Sequence, residues 1–327
     1  MITYLIIALL LILTILVYFR IADRFSIIDK PNERSSHSYI TIRGGGVIFP
    51  VAALLWFTFY GFHQVWAIAG LILVAIISFT DDLNPLPGSV RMPVQFVAVI
   101  LLMAELEAQH LPWYYAVIAI ILAVYWINAF NFMDGINAIT PFYSMAALAT
   151  FLVLNQFYPF FDEGLIVVLI ISAVMFSYFN ARKRARTFAG DVGSISMAFL
   201  LVWMLLTLIL ETGRYEYILL FSVYGLDSAF TIFFRLLRHE NIFKAHRSHL
   251  YQLLSNEMKW PHIKVSILYA VAQLVINLLV VYLILNDMMN FPIFLLFILI
   301  VSAVYLTLRF AVRSKIRNND NPTESRL

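Results

Sequence analysis

The stretch QVWAIAGLILVAIISFTDD, residues 64–82, decides the fold: an uncharged apolar run of near-membrane length stops at two adjacent carboxylates. A bilayer-crossing helix needs roughly 17–25 predominantly apolar residues, and runs of this kind recur along the chain. Of the 327 residues, 62% are hydrophobic and 13% charged, with a mean hydropathy of +0.86. Soluble domains carry roughly 25% charged residues, so the composition excludes a soluble enzyme. The period-two alternation of an outer-membrane barrel is missing. The chain therefore reads as an all-α, polytopic integral membrane protein. The absence of cysteine excludes disulfides and thiolate metal sites. The pI near 9.0 comes from loop Lys and Arg rather than a long basic block, so nucleic acid is not an expected partner.

Helices are expected at about 2–19, 45–62, 64–80, 92–104, 112–129, 136–158, 164–179, 194–211, 215–234, 263–285 and 291–309, about eleven spans, with ten as the alternative count. The first lacks a basic leader and a small-residue cleavage site, and is expected to be a retained span rather than a signal peptide. An odd count puts the termini on opposite sides. Arg214 then stands alone on one side, and every other member of the 22 Lys and Arg falls on the other. By the positive-inside rule the rich side is cytoplasmic, with the N-terminus outside and the C-terminus inside. Residues 1–310 are expected to form one membrane-embedded domain, and 311–327 a cytoplasmic, disordered tail. Glu105, Glu107, Asp162, Glu163, Glu211, Glu216 and Asp287 read as solvated carboxylates of outer turns.

Four polar islands interrupt the apolar chain, all on the basic side: Asp81-Asp82, NAFNFMDG at Asn128–Gly135, FAGDVGS at Phe188–Ser194, and HRSH at His246–His249. Such groups are costly near a bilayer and mark function by default. Adjacent carboxylates repel, so one member of the first pair is expected to hold its proton more tightly unless a cation intervenes. Asn128, Asn131 and Asp134 are spaced to share one helix face, with Asn137 three further on. Hard oxygen ligands of this kind suit Mg²⁺, although hydrogen bonds between helices would use the same residues. Gly190 and Gly193 allow close backbone approach around Asp191, and Ser194 is placed to cap the next helix. The cations at 182–186 serve topology equally well. In HRSH, no third ligand of the usual type accompanies the histidines, so phosphate recognition is preferred to zinc. Asp227 and Arg235 are expected to form a structural pair. The loop PNERSSHSYITIRGGG adds His37 and Arg43 beside three glycines, more than a connector needs.

In this order the islands resemble the polyprenyl-phosphate N-acetylhexosamine-1-phosphate transferase family, over roughly residues 29–255. The loop DKPNERSSHSYITIRGGG and the ending HRSHLYQ look nearest to its O-antigen-initiating branch. The resemblance implies a multi-pass enzyme of the bacterial cytoplasmic (inner) membrane with its active site facing the cytoplasm. It would transfer a sugar-1-phosphate from a UDP-N-acetylhexosamine to undecaprenyl phosphate and release UMP. Mg²⁺ is implied, with Mn²⁺ as the alternative; membrane lipids are further partners, and a homodimer is left open. Asp191 and Asn131 match the family's metal positions, and Asp81 and Asp82 its catalytic acidic pair, with Asp134 joining the catalytic set. Arg91 matches a basic position associated with the donor diphosphate, and His246, Arg247 and His249 a phosphate-contacting loop. Asn128, Asn137, Arg43 and Asn180 complete the expected substrate-binding set. Departures are Asn84 where a basic residue is usual, Ile42 for a proline, Ala138 for a glycine, and Arg182–Arg184 for a proline-containing stretch. HRSH also lacks the triple histidine of the peptidoglycan enzyme, which argues against that substrate.

Chemistry tempers the base role. A phosphate monoester loses its second proton near pKa ~6, and passing it to an ordinary aspartate near ~3.9 runs uphill by about 3 kcal/mol. Asp81 is expected to act as base only if its neighbour raises its pKa; otherwise it orients the acceptor or a metal. A double displacement through a phospho-enzyme is the mechanistic alternative, and an ion-coupled transporter the alternative class. Transporter sites lie near the bilayer midplane within internal repeats, whereas these carboxylates lie at helix ends and no repeat is evident.

Overall fold

The computed structural model describes residues 2–29, 31, 39–241 and 246–320, the side chains of 319 and 320 excepted. The expected loop contributions of Lys30, Arg34, His37 and Lys244, and the last part of the tail, 321–327, lie outside the described residues. The helices are α1 (Ile2–Phe25), α2 (Ile48–Phe59), α3 (Val65–Leu83), α4 (Gly88–Glu105), α5 (Trp113–Met133), α6 (Ile139–Phe157), α7 (Glu163–Asn180), α8 (Gly190–Thr212), α9 (Ser222–Leu237), α10 (Leu250–Gln252), α11 (His262–Leu285) and α12 (Phe291–Asp320). A short antiparallel pair, β1 (Ile28–Asp29) with β2 (Thr41–Ile42), lies between α1 and α2. The protein is an all-α multi-pass membrane protein: among the described residues, 9 helices are long and apolar enough to cross a bilayer. Helices α2 and α6 occupy the two remaining expected positions. The first is a shorter apolar segment that begins in a 3-10 turn at Gly45–Val47. The second buries Thr140, Ser144, Thr150 and Asn155 along its length.

Helix α8 is the centre of the bundle. It is apolar nearly all round, as a fully surrounded helix must be, and 83% of its span is buried. Helix α12 is the opposite case, with 6% of its span buried and Ile293, Ile298, Val301 and Leu306 among the partly buried side chains that pack it on the core. Helices in lipid gain little from apolar burial and associate through close backbone approach at small residues. Gly46 packs its backbone against Gly193 of α8, where any Cβ would collide. That crossing delivers the residues after β2 to the start of α8.

Several boundaries differ from the sequence reading. Helix α3 runs on through Asp81 and Asp82 to Leu83, because donors from other elements satisfy both carboxylates and the Asn84 N–H still closes on the Thr80 carbonyl at 2.8 Å. Helix α8 begins at Gly190, so FAGDVGS is a first helical turn rather than a loop before one. Helix α5 ends at Met133, which takes Asp134 off the expected helical stripe. The tail expected to be disordered from 311 is helical as far as Asp320, since Arg and Lys are good helix formers and extend the span into water. Several of the carboxylates expected in outer turns do more than face solvent. Glu105 accepts the Trp66 and Ala67 N–H groups at 2.7 and 3.2 Å, and Asp162 caps α7 while accepting Trp56 Nε1 at 3.0 Å. Glu216 is buried, 3.9 Å from Arg214 Nη1.

Candidate active site

The N-terminal end of α8 is the anchor of the site. The first N–H groups of a helix have no partner within it and carry positive potential, and here Asp82 of α3 supplies both needs. Its Oδ1 accepts the Asp191 N–H at 2.9 Å, and its Oδ2 accepts the Val192 N–H at 3.0 Å. Gly190, with φ +71, turns the chain where a side chain would strike the Asp82 carboxylate. Arg43 closes this corner, donating from Nε to Asp82 Oδ1 at 2.7 Å and reaching Asp191 Oδ1 with Nη2 at 3.4 Å. Its backbone is set by the Tyr18 hydroxyl, which donates to the Arg43 carbonyl at 2.6 Å, and by the Gly45 and Gly46 N–H groups on the Phe188 and Ala189 carbonyls.

Asp81 faces the other way. Its Oδ1 accepts the Leu86 N–H at 2.5 Å, and its Oδ2 lies 3.0 Å from Arg91 Nη1. The same Nη1 is 2.9 Å from Asp191 Oδ2, so one guanidinium nitrogen bridges two carboxylates. Asn131, at the end of α5, directs Nδ2 to Asp191 Oδ2 at 3.4 Å, while its Oδ1 accepts the Ser194 hydroxyl at 2.7 Å. Ser194 therefore tethers Asn131 rather than capping α8; that task belongs to Asp82. Asp81, Asp82, Asp191, Asn131, Arg43 and Arg91 meet in one place, delivered by α3, α4, α5, α8 and the strand before α2. Both arginines keep close to a third of their side chains accessible (29% and 30%), enough to meet a ligand.

The remaining expected residues divide. Asp134 follows α5, half-buried, and accepts the Thr140 hydroxyl at 2.7 Å. Burial pushes its carboxyl up to about 7, against the pull of that hydrogen bond, with the Asp82 charge adding to the rise. Asn128 serves helix packing, donating to Gln95 Oε1 at 2.7 Å and to its own helix at the Val124 carbonyl. Asn137 donates to the Arg182 carbonyl at 2.7 Å. Asn180 accepts the Ala138 N–H at 2.6 Å and donates to the Thr187 carbonyl at 2.9 Å. These two splice the turn before α6 to the turn before α8, and neither is directed at the carboxylate cluster.

The histidine loop approaches from the side of Asp134. Tyr251 donates to the Phe132 carbonyl at 2.9 Å, and its hydroxyl packs where a Cβ on Gly135 would be. His246 is 3.0 Å from the Ser248 hydroxyl, and its ring lies 4.9 Å from that of His249. Burial, with the charges of His249 and Arg235 adding, lowers His246 to about 4, so at neutral pH it is a neutral imidazole and not a cation. Arg247 is half-buried within the same loop. The expected Asp227–Arg235 pair does not form. Arg235 donates to Glu240 Oε2 at 2.9 Å, whereas Asp227 takes His249 Nδ1 at 3.3 Å and lies 3.8 Å from Arg309 Nη1. The sequence reading names Ser194 only as a helix cap and passes over Gln95 and Arg309 as site residues. Arg309 had counted only as a topological charge, although an arginine near the end of an apolar run is itself a signal.

Comparison with known proteins then places the chain. Residues 64–209 match the family profile described as "Glycosyl transferase family 4". A probable undecaprenyl-phosphate N-acetylglucosaminyl 1-phosphate transferase of Bacillus subtilis is 27% identical over 270 residues, 72% of this chain and 71% of that protein. A phospho-N-acetylmuramoyl-pentapeptide-transferase of Streptococcus mutans is 31% identical over 124 residues, 36% of this chain and 35% of its own. An undecaprenyl-phosphate alpha-N-acetylglucosaminyl 1-phosphate transferase of Salmonella typhi is 24% identical over 209 residues, 57% and 56% of the two chains.

Proposed function

From the match of residues 64–209 to glycosyl transferase family 4, we propose that this chain moves a sugar-1-phosphate from a UDP-N-acetylhexosamine to undecaprenyl phosphate, releasing UMP. Relatives whose names specify N-acetylglucosamine favour that sugar as donor. The product would be the first lipid-linked sugar of an O-antigen or another cell-envelope glycan. The observation that carries the reading is the meeting of three carboxylates and two partly accessible guanidinium groups at one end of the bundle. The concentration of Lys and Arg on the same side supports a cytoplasmic active site in the inner membrane, with the N-terminus outside.

The reaction joins an acceptor phosphate oxygen to the β-phosphorus of the donor and breaks the bond to the bridging oxygen, which leaves with UMP. Catalysis of such a step rests on placement and on cations that meet the growing charge. Arg43 and Arg91 are held beside the cluster by Asp82, Asp81 and Asp191, so both cations are at hand when the pyrophosphate arrives. The donor set also fits a divalent cation. Two carboxylate oxygens, of Asp81 and Asp191, converge on the single positive nitrogen of Arg91, and the Asn131 amide adjoins them. Asp191 and Asp81 would hold Mg²⁺ or Mn²⁺ once Arg91 turns towards substrate, and Asn131 would join them through Oδ1 on turning its amide from the Ser194 hydroxyl. The metal would supply charge neutralisation on the pyrophosphate oxygens.

Asp134 is the base we assign. With its carboxyl raised to about 7, accepting the proton of an acceptor monoanion with pKa ~6 no longer carries the uphill cost it has for an ordinary aspartate. Asp82, its oxygens taken by the α8 N-terminus and Arg43, positions the others. Purified protein incubated with undecaprenyl phosphate and a panel of UDP-sugars tests the reading through UMP release. Release that needs both lipid and one N-acetylhexosamine donor is expected; release from none of the panel refutes it.

A further inference from the structure

A second buried polar cluster lies behind the histidine loop, and the reaction described above does not use it. Asp227 of α9 is fully buried and gathers donors from three other elements. The Tyr269 hydroxyl of α11 reaches Oδ2 at 2.7 Å, and the Tyr305 hydroxyl of α12 reaches Oδ1 at 2.9 Å. From the histidine loop come the Leu250 N–H at 3.0 Å and His249 Nδ1 at 3.3 Å. Arg309 of α12 is likewise fully buried. Its Nη1 donates to Thr231 Oγ1 at 2.9 Å and to the Tyr305 hydroxyl at 2.6 Å, while Nη2 donates to the Ser248 carbonyl at 2.8 Å.

Two features separate this cluster from ordinary helix packing. Helix α12 is the least buried of the nine spans among the described residues, at 6%, so a buried arginine is a costly way to attach it; an apolar residue would pack there without a desolvation cost. Moreover, both charged groups end on consecutive residues of one loop, Ser248 and His249, inside the set assigned to phosphate contact. His249 is 2% exposed, its Nδ1 edge faces Asp227, and Nε2, on the opposite edge, has no hydrogen-bond partner among the described residues. A carboxylate beside Nδ1 fixes the ring's orientation and leaves the Nε2 edge as the one that can meet a ligand.

We propose that Arg309 and Asp227 are positioning residues for the histidine loop: the guanidinium fixes the Ser248 carbonyl and the carboxylate fixes the His249 ring, so that Nε2 is presented to a substrate phosphate in one orientation. The last helix thereby sets the geometry of a loop that enters the active site. The inference rests on the transferase reading for its effect on turnover, but not for its effect on the ring.

Selective ¹⁵N-histidine labelling of the full-length protein tests it, with the His249 signal assigned by its loss in His249→Gln. Wild-type protein should show the His249 Nδ1 held in a hydrogen bond. Arg309→Lys retains the charge beside Asp227 but has no fork to reach both Ser248 and Tyr305; Arg309→Met removes the charge as well. In whichever variant elutes as a single monodisperse species, His249 should move towards the mixed tautomers of a free imidazole. Turnover per folded molecule should fall roughly 10–100-fold, the usual effect of losing a partner that orients a ligand-contacting histidine. A monodisperse Arg309→Lys protein with the wild-type His249 signal, or with wild-type turnover, overturns the proposal, since a merely structural arginine would lower yield and melting temperature alone. If wild-type protein turns over no UDP-sugar, the transferase reading fails, and the His249 signals of the variants still decide whether the loop is held as described.

Discussion

Asp82 and Asp191 are joined through the backbone: the Asp82 carboxylate accepts the Asp191 N–H at 2.9 Å, while the Asp191 carboxylate turns away from Asp82 towards Arg91 at 2.9 Å and Asn131 at 3.4 Å. One member of the adjacent acidic pair thus fixes where a third carboxylate stands, and its neighbour Asp81 shares that carboxylate's cation. The pair divides into a structural and a chemical half.

Asp82→Ala should therefore be a stability variant first. Losing a helix N-cap costs about 0.5–2 kcal/mol, and leaving the Arg43 guanidinium without its carboxylate adds about 1–3 kcal/mol. Asp81→Asn keeps an oxygen for the Leu86 N–H and should melt within about 1 kcal/mol of wild type while losing turnover. Tryptophan-fluorescence melting of both proteins checks this. Equal melting temperatures for the two would contradict the division.

Asp134 predicts the pH profile. Its folded pKa of about 7 is raised above the ordinary aspartate value of 3.8, so the group is protonated in the folded protein across pH values where the unfolded chain has already released the proton. As a base it works only when ionised, and kcat/KM should rise with pH through about 7. The same shift makes its contribution to stability greatest at low pH and lost as pH climbs through 7. Asp134→Asn should lower the rate and remove both dependences. A variant that keeps the wild-type rising limb assigns that limb to another group.

Metal dependence follows from the donor set. Chelation should stop turnover without unfolding the protein, and Mg²⁺ or Mn²⁺ should restore it. Asp191→Asn should lose roughly 10²–10³-fold in kcat, the scale of removing a charge-stabilising element, and added Mg²⁺ should not recover it. Full activity in excess chelator, or near-wild-type activity of Asp191→Asn, would refute the metal assignment.

Arg91 bridges Asp81 and Asp191 through one nitrogen, so Arg91→Met leaves two facing carboxylates without a cation. The KM for the UDP-sugar should rise at least about tenfold, since a charged hydrogen bond is worth roughly 1.5–3 kcal/mol, and the apparent affinity for Mg²⁺ should increase as its competitor goes. A Mg²⁺ titration under the two backgrounds separates these effects; an unchanged Mg²⁺ midpoint would sink the idea that guanidinium and metal share one place.

The apolar runs made the helices legible, and the four islands made one end of the bundle legible, because spacing and hydropathy are local properties of the chain. The substitution at Ala138 was visible as a departure from a glycine, and the reason is geometric: that residue sits at φ +70, where a side chain is strained. What stayed hidden was partnership. Nothing in NAFNFMDG separates Asn128, which pairs with Gln95, from Asn131, which reaches Asp191. One helical turn apart they face different neighbours, and only the packing of α4 and α8 against α5 decides which is which. Asp227 was noticed, but its partner was sought eight residues away in Arg235 rather than on the last helix, in Arg309, because a long-range pair leaves no periodic trace.

The central claim is that the sugar moves together with its phosphate onto a lipid phosphate. UDP-N-acetylglucosamine labelled with ³²P at the β-phosphorus, incubated with purified protein, Mg²⁺ and undecaprenyl phosphate, tests it directly. Label should pass into the lipid fraction as UMP appears unlabelled, and neither should happen with Asp191→Asn. Label retained in the aqueous phase as UDP would mean that the sugar is transferred without its phosphate, and would contradict the account.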